Sequence, residues 1–124
     1  MSTIQVADQT FVAAQPVRVG AAVAAPNRWR QWWPDLSLEV REDRAEQGIR
    51  WAVSGALTGT MEVWLEPALD GVILHYFLHA EPTGAFDSRK VLELNRIRRV
   101  AGKKMSFEIK GELEAGRKPG EPVG

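Results

Sequence analysis

The chain has 124 residues, 44% hydrophobic and 26% charged, with 16 basic and 16 acidic side chains, two histidines and no cysteine. That length holds one domain around one core, and the balanced charge gives no reason to expect a nucleic-acid partner. The lack of cysteine excludes a disulfide framework, a thiolate nucleophile and a zinc–thiolate site, while no apolar run approaches the ~20 residues of a membrane span.

Residues 3–13 alternate loosely through Ile4, Val6 and Phe11 and predict a first strand. Pro16 suits a helix start, where its missing N–H costs nothing, and a small-residue helix is expected over 17–25. Pro26 stops it. Asn27 is placed to cap a second short helix through Trp33, which Pro34 and Asp35 end. Four strands are then predicted at 37–44, 49–54, 58–66 and 72–81, punctuated by Gly48, Gly55 and the Leu69-Asp70-Gly71 turn. Connections this short demand antiparallel neighbours. After Pro82-Thr83-Gly84, Asp87 or Ser88 is the N-cap for a long helix over 89–110. Gly102 and Gly111 weaken that helix by up to about 1 kcal/mol each relative to alanine, so a bend or early end is expected. Residues 1–115 read as one domain and 116–124 as a disordered tail, by the composition of RKPGEPVG. The opening MSTIQVADQTF lacks the basic start and unbroken apolar stretch of a signal peptide, so the expected location is cytoplasmic.

The order of a strand end, a proline-initiated small-residue helix and a three-tryptophan segment runs through TFVAAQPVRVGAAVAAPNRWRQWWPDL at 10–36. It resembles the opening of the polyketide cyclase/dehydrase and lipid-transport family, part of the START-like (SRPBCC) helix-grip superfamily, and the resemblance covers roughly residues 3–110. It implies an α+β helix-grip fold: a curved antiparallel sheet wrapped around a long C-terminal helix, two short helices after the first strand, and a pocket for an apolar small molecule. The family carries about six strands after its helix pair. This chain offers four, so it resembles a shortened version with one hairpin reduced or missing.

Trp29, Trp32 and Trp33 are spaced three and four apart and share one helix face. They either pin the helix to the sheet or offer a ring at the pocket mouth. Trp51 alternates with Ile49 and Val53 and is expected on the concave side, with Met61, Val63 and Leu65 also inward and Trp64 outward. On 72–81 both alternating sets are apolar; Leu74, Tyr76 and Leu78 are the preferred pocket wall. His75 and His79 are too far apart on a strand, about 13 Å, to share a metal ion, and no metal or cofactor is expected. One histidine facing the pocket remains a candidate general base. On the last helix, Leu94, Ile97, Ala101, Met105 and Ile109 fall on one side and Arg89, Arg96, Arg99, Lys103 and Lys104 on the other. The stretch 89–104 holds seven bases against one acid, Glu93, which is either a solvated face or a surface for anions. Arg98 falls inside the apolar arc. It must be paired or kept wet, whether with a ligand anion, with an internal acid such as Glu62, or by reaching the pocket rim.

Trp29, Trp33, Trp51, Met61, Leu74, Tyr76, Leu78, Ile97, Arg98 and Met105 are therefore the candidate ligand-binding residues, and no catalytic set is identified. The leading expectation is a protein that binds an apolar small molecule such as a lipid or polyketide, as a monomer or weak homodimer. The alternatives are an enzyme of the polyketide cyclase or aromatase type, and a toxin or regulatory interaction protein of the same fold.

Overall fold

In the computed structural model, which describes residues 3–115, five antiparallel strands form one open sheet in the order β1-β5-β4-β3-β2. The strands are β1 (Ile4–Val12), β2 (Leu36–Asp43), β3 (Gly48–Gly55), β4 (Leu57–Ala68) and β5 (Gly71–Pro82). Two short helices, α1 (Pro16–Val23) and α2 (Pro26–Trp32), follow β1, and a long helix, α3 (Ser88–Leu113), comes last. This is the α+β helix-grip arrangement, with four strands after the helix pair. No helix among the described residues is long and apolar enough to cross a membrane. The tail at 116–124 lies outside the described residues.

Proline sets both short helices, because its fixed φ fits the first helical position. Pro16 and Pro26 each stand there. Ala25, not Asn27, is the N-cap of α2, so the expected asparagine cap is displaced by the proline before it. Asp87 caps α3 by accepting from the Lys90 N–H at 2.8 Å. The long hairpin β4–β5 turns at Leu69 and Asp70, with Leu69 at φ 50° and fully out in solvent.

Alternation divides the sheet cleanly. Ile4, Val6, Val12, Ile49, Trp51, Val53, Leu57, Met61, Val63, Leu65, Val72, Leu74, Tyr76, Leu78 and Ala80 are buried on the concave face. They form rows across the strands: Val6, Leu78, Met61 and Trp51 are successive cross-strand partners, which is how a sheet sums its side-chain packing. Trp64, His75, Phe77 and His79 take the convex face. There Trp64 stacks on His75 at 4.6 Å and His75 meets Glu66 at 2.9 Å. Both histidines thus leave the concavity, so neither is a general base there.

The two sheet edges differ. Along β1, side chains from α3 satisfy the free backbone: the Gln5 N–H donates to Asn95 Oδ1 at 3.0 Å, and Lys103 and Lys110 reach the carbonyls of Gln9 and Phe11. Among the described residues, no side chain of α3 bonds the β2 edge in this way. It is protected instead by a register shift between Val40 and Glu42 and by Glu39, Arg41, Glu42 and Asp43, devices that discourage pairing with another strand.

Candidate functional site

The concavity between sheet and α3 is occupied by the protein's own aromatic rings. α2 ends at Trp32, and Trp33, its C-cap, leaves the helical backbone (φ −135°, ψ 69°) with its ring among those of the sheet. Trp33 stacks on Tyr76 with centroids 6.1 Å apart and meets Trp51 edge-on at 5.7 Å. Trp29 continues the column, edge-on to Trp51 at 5.4 Å, and its indole N–H donates to the Val23 carbonyl at 2.7 Å. Trp32 meets Trp33 edge-on at 5.6 Å, donates to Glu108 at 2.7 Å and carries Arg28 over its ring. Trp29 and Trp33 thus reach the sheet through Trp51, and Trp32 joins them through Trp33.

α3 meets this column with small residues. A Cβ at Gly102 would stand 2.5 Å from Tyr76 Cε2, inside any tolerable contact, so the Tyr76 ring lies directly against the helix backbone. The helix does not end early at Gly102 or Gly111, and α3 runs on to Leu113. The glycine that weakens the isolated helix is the one that lets it seat. The buried side of α3 is Arg98, Gly102, Met105, Ser106 and Ile109. Ile97, expected inward, is 40% exposed. Arg98 and Gly102 are buried in its stead, alongside Met105 and Ile109.

Arg98 is 5% exposed and makes a two-bond contact with Asp35, Nη1 to Oδ1 at 3.0 Å and Nη2 to Oδ2 at 2.6 Å. The expected partner, Glu62, is instead held by Arg44 at 2.6 Å on the other side of the sheet. Asp35 follows Pro34, and its carbonyl accepts from the Ala56 N–H at 3.1 Å, which fixes the loop. The Arg98 hydrogen bonds hold the Asp35 carboxyl below the usual carboxylate range, against partial desolvation. Asp35 is the site residue that sequence reasoning misses: an acid 63 positions from its arginine carries no local signal beyond its place after the tryptophans.

Burial pushes the Tyr76 phenol above its usual range, with the Arg98 charge acting in the opposite sense. Such a phenol stays neutral at physiological pH; it donates to Met61 Sδ at 3.1 Å, a weak acceptor. Around it, three buried donors have no hydrogen-bond partner among the described residues: Trp33 Nε1, Trp51 Nε1 and Arg98 Nε. The Trp33 N–H lies beside the Tyr76 oxygen but falls short of bonding geometry. Each buried unpaired donor costs about 1–3 kcal/mol.

Trp33, Trp51, Met61, Leu74, Tyr76, Leu78, Arg98 and Met105 are thus brought together in the buried interior, while Ile97 is not. Trp29 connects them to the surface. A cleft of about 350 Å³ between α2 and β2 is lined by Pro26, Trp29, Arg30, Leu36, Ser37 and Leu38, so the aromatic column has an exposed end. Among the described residues no cluster of three or more His, Asp or Glu side chains is placed to hold a metal.

No family model and no curated protein sequence matches the chain. Solved structures do. The Aha1 dimer from Colwellia psychrerythraea aligns with TM-score 0.65 and 13% identity over 93% of this chain and 99% of that one. TTHA0849 from Thermus thermophilus aligns with TM-score 0.62 and 14% identity over 92% and 99%. CalU16 from Micromonospora echinospora aligns with TM-score 0.61 and 16% identity over 88% and 78%. The structural neighbours are SRPBCC, polyketide cyclase-like helix-grip folds, and at these identities the likeness is one of fold.

Proposed function

We propose that this protein binds an apolar small molecule bearing a hydrogen-bond acceptor, such as a carbonyl, and that the molecule enters through the cleft between α2 and β2. The observation that carries this reading is the set of unpaired donors, Trp33 Nε1, Trp51 Nε1 and Arg98 Nε, buried among aromatic rings. An acceptor among them recovers hydrogen bonds that the unliganded interior forgoes, and flat rings supply apolar contact. Lipids, polyketides and quinone-like compounds fit that description. Trp29 is the first ring a ligand meets, and room further in is made by displacing Trp33, which sits at the end of a seven-residue helix.

One feature supports carriage over turnover: the histidines lie on the convex face. The filled concavity favours a second reading, an interaction protein of the same fold that has dispensed with a ligand.

Native mass spectrometry of the freshly purified chain, followed by organic extraction, separates the two. A co-purified apolar molecule at near-stoichiometric level, lost in Trp29→Ala, supports the binding reading. A clean unliganded mass, with no thermal shift and no quenching of tryptophan fluorescence across a panel of apolar carbonyl compounds, sinks it in favour of the interaction protein.

A further inference from the structure

Met105 and Ile109 are buried, but three other large apolar side chains of α3 point away from the core. Leu92, Val100 and Phe107 are 73%, 57% and 54% exposed. At about 100° per residue they fall within a single arc, on a line roughly 22 Å long. Arg89, Arg96 and Lys103 fall in the same arc, and Arg99 and Lys104 border it. Arg89, Arg96, Arg99 and Lys104 are exposed, and none is in an ion pair among the described residues. Lys103 is tied to Asp8 at 3.1 Å and lies over the Phe107 ring at 5.1 Å. Between 88 and 107 the one acid is Glu93. At the start of the helix, exposed Phe86 joins Leu92, Val91 and Thr3 around an open hollow of about 660 Å³, which prolongs the apolar line.

From this pattern we infer that the outward face of α3 docks on an anionic lipid surface. A protein partner dries a contiguous apolar patch and depletes charge from its centre. Here a base interrupts every turn, and pressing this face against a folded surface would bury guanidinium groups without partners, which is costly. A bilayer surface accommodates both residue types at once. Apolar tips sink toward the acyl chains, while guanidinium and ammonium groups stay level with the phosphates and gain from the negative surface potential. The helix lies along such a surface, since it is not apolar enough to cross one. The basic stretch read from sequence as either a solvated face or an anion surface thus gains its second half: the exposed apolar residues that a merely solvated face would not carry.

Cosedimentation of the full chain with large vesicles tests this, comparing pure phosphatidylcholine with phosphatidylcholine containing about one third phosphatidylserine. The expected result is binding to the anionic vesicles alone, weakened by salt, and reduced roughly tenfold or more by the double reversal Arg96→Glu/Arg99→Glu. Phe107→Ser should also weaken it several-fold, and Leu92→Ser repeats that test should Phe107→Ser fail to fold. No binding to anionic vesicles at low salt overturns the inference. So does binding that survives all these substitutions, which would belong to another surface. A concentration-dependent dimer abolished by Phe107→Ser would assign the face to a second copy of the chain and overturn it equally.

Discussion

The inward face of α3 presents Arg98, Gly102, Met105, Ser106 and Ile109, whereas its outward face presents Leu92, Val100 and Phe107 among arginines and lysines. A helix in a two-layer domain ordinarily turns its apolar stripe inward. Here the concavity is already filled by Trp33, Trp51 and Tyr76, so the helix that closes it needs clearance where it meets them. Gly102 supplies the clearance, and Arg98 supplies a bond to the loop that carries Trp33. The volume of the rings explains why Gly102 faces them, while Met105 and Ile109 still bring apolar bulk to the buried side. The apolar residues left outside then require a use of their own, which an anionic bilayer provides.

Substitutions should separate the two faces by size of effect. Trp33→Ala removes the ring that spans from Tyr76 to Trp51, and a loss of about 3–5 kcal/mol in denaturant unfolding is expected. A loss under about 1 kcal/mol would mean that the rings are loosely held. Asp35→Ala strands the buried Arg98 and should cost about 1–3 kcal/mol, less than a fully buried pair because the carboxylate is half exposed. Arg98→Met removes the charge along with the bond and should be near neutral, since apolar replacement of a buried ion is often tolerated. Equal losses for the two variants would show that the bond itself, not the desolvated arginine, is what matters.

The same pair gives a pH signature. Because Asp35 is depressed below its ordinary value of 3.8 in the folded protein, its contribution is complete above that value and is lost as pH falls through the lower folded one. Thermal melts of the parent chain should therefore lose stability in that acid window, and Asp35→Asn should remove that part of the slope. Gly102→Ala comes next. Overpacking against Tyr76 costs about 1–3 kcal/mol, offset by about 1 kcal/mol of helix propensity. A net stabilisation would mean that the ring yields. Outward, Phe107→Ser should change unfolding by no more than about 0.5 kcal/mol, a null on stability set against its effect on vesicle binding.

Much of the architecture was legible because its signals are local. Pro16 and Pro26 each open a helix, the Asp70-Gly71 pair turns a hairpin, and period-two alternation put Trp51 and Met61 on one side of the sheet and Trp64 on the other, while on 72–81 alternation alone left both faces open. Arg98 was legible as an anomaly, a charge inside an apolar arc, but its partner was not. The end of α2 also escaped by one residue, since the helix expected through Trp33 stops at Trp32.

By itself, the sequence determined the order and type of the elements, the inward and outward residues of the middle strands, and the charge of the last helix, all of which depend on residues within a few positions of one another. Only the tertiary structure decided that Asp35 answers Arg98, that Gly102 seats α3 on Tyr76, and that Ile97 stays outside. Those outcomes follow from how rings of fixed volume share one concavity, a competition among residues far apart in the chain that no local pattern records.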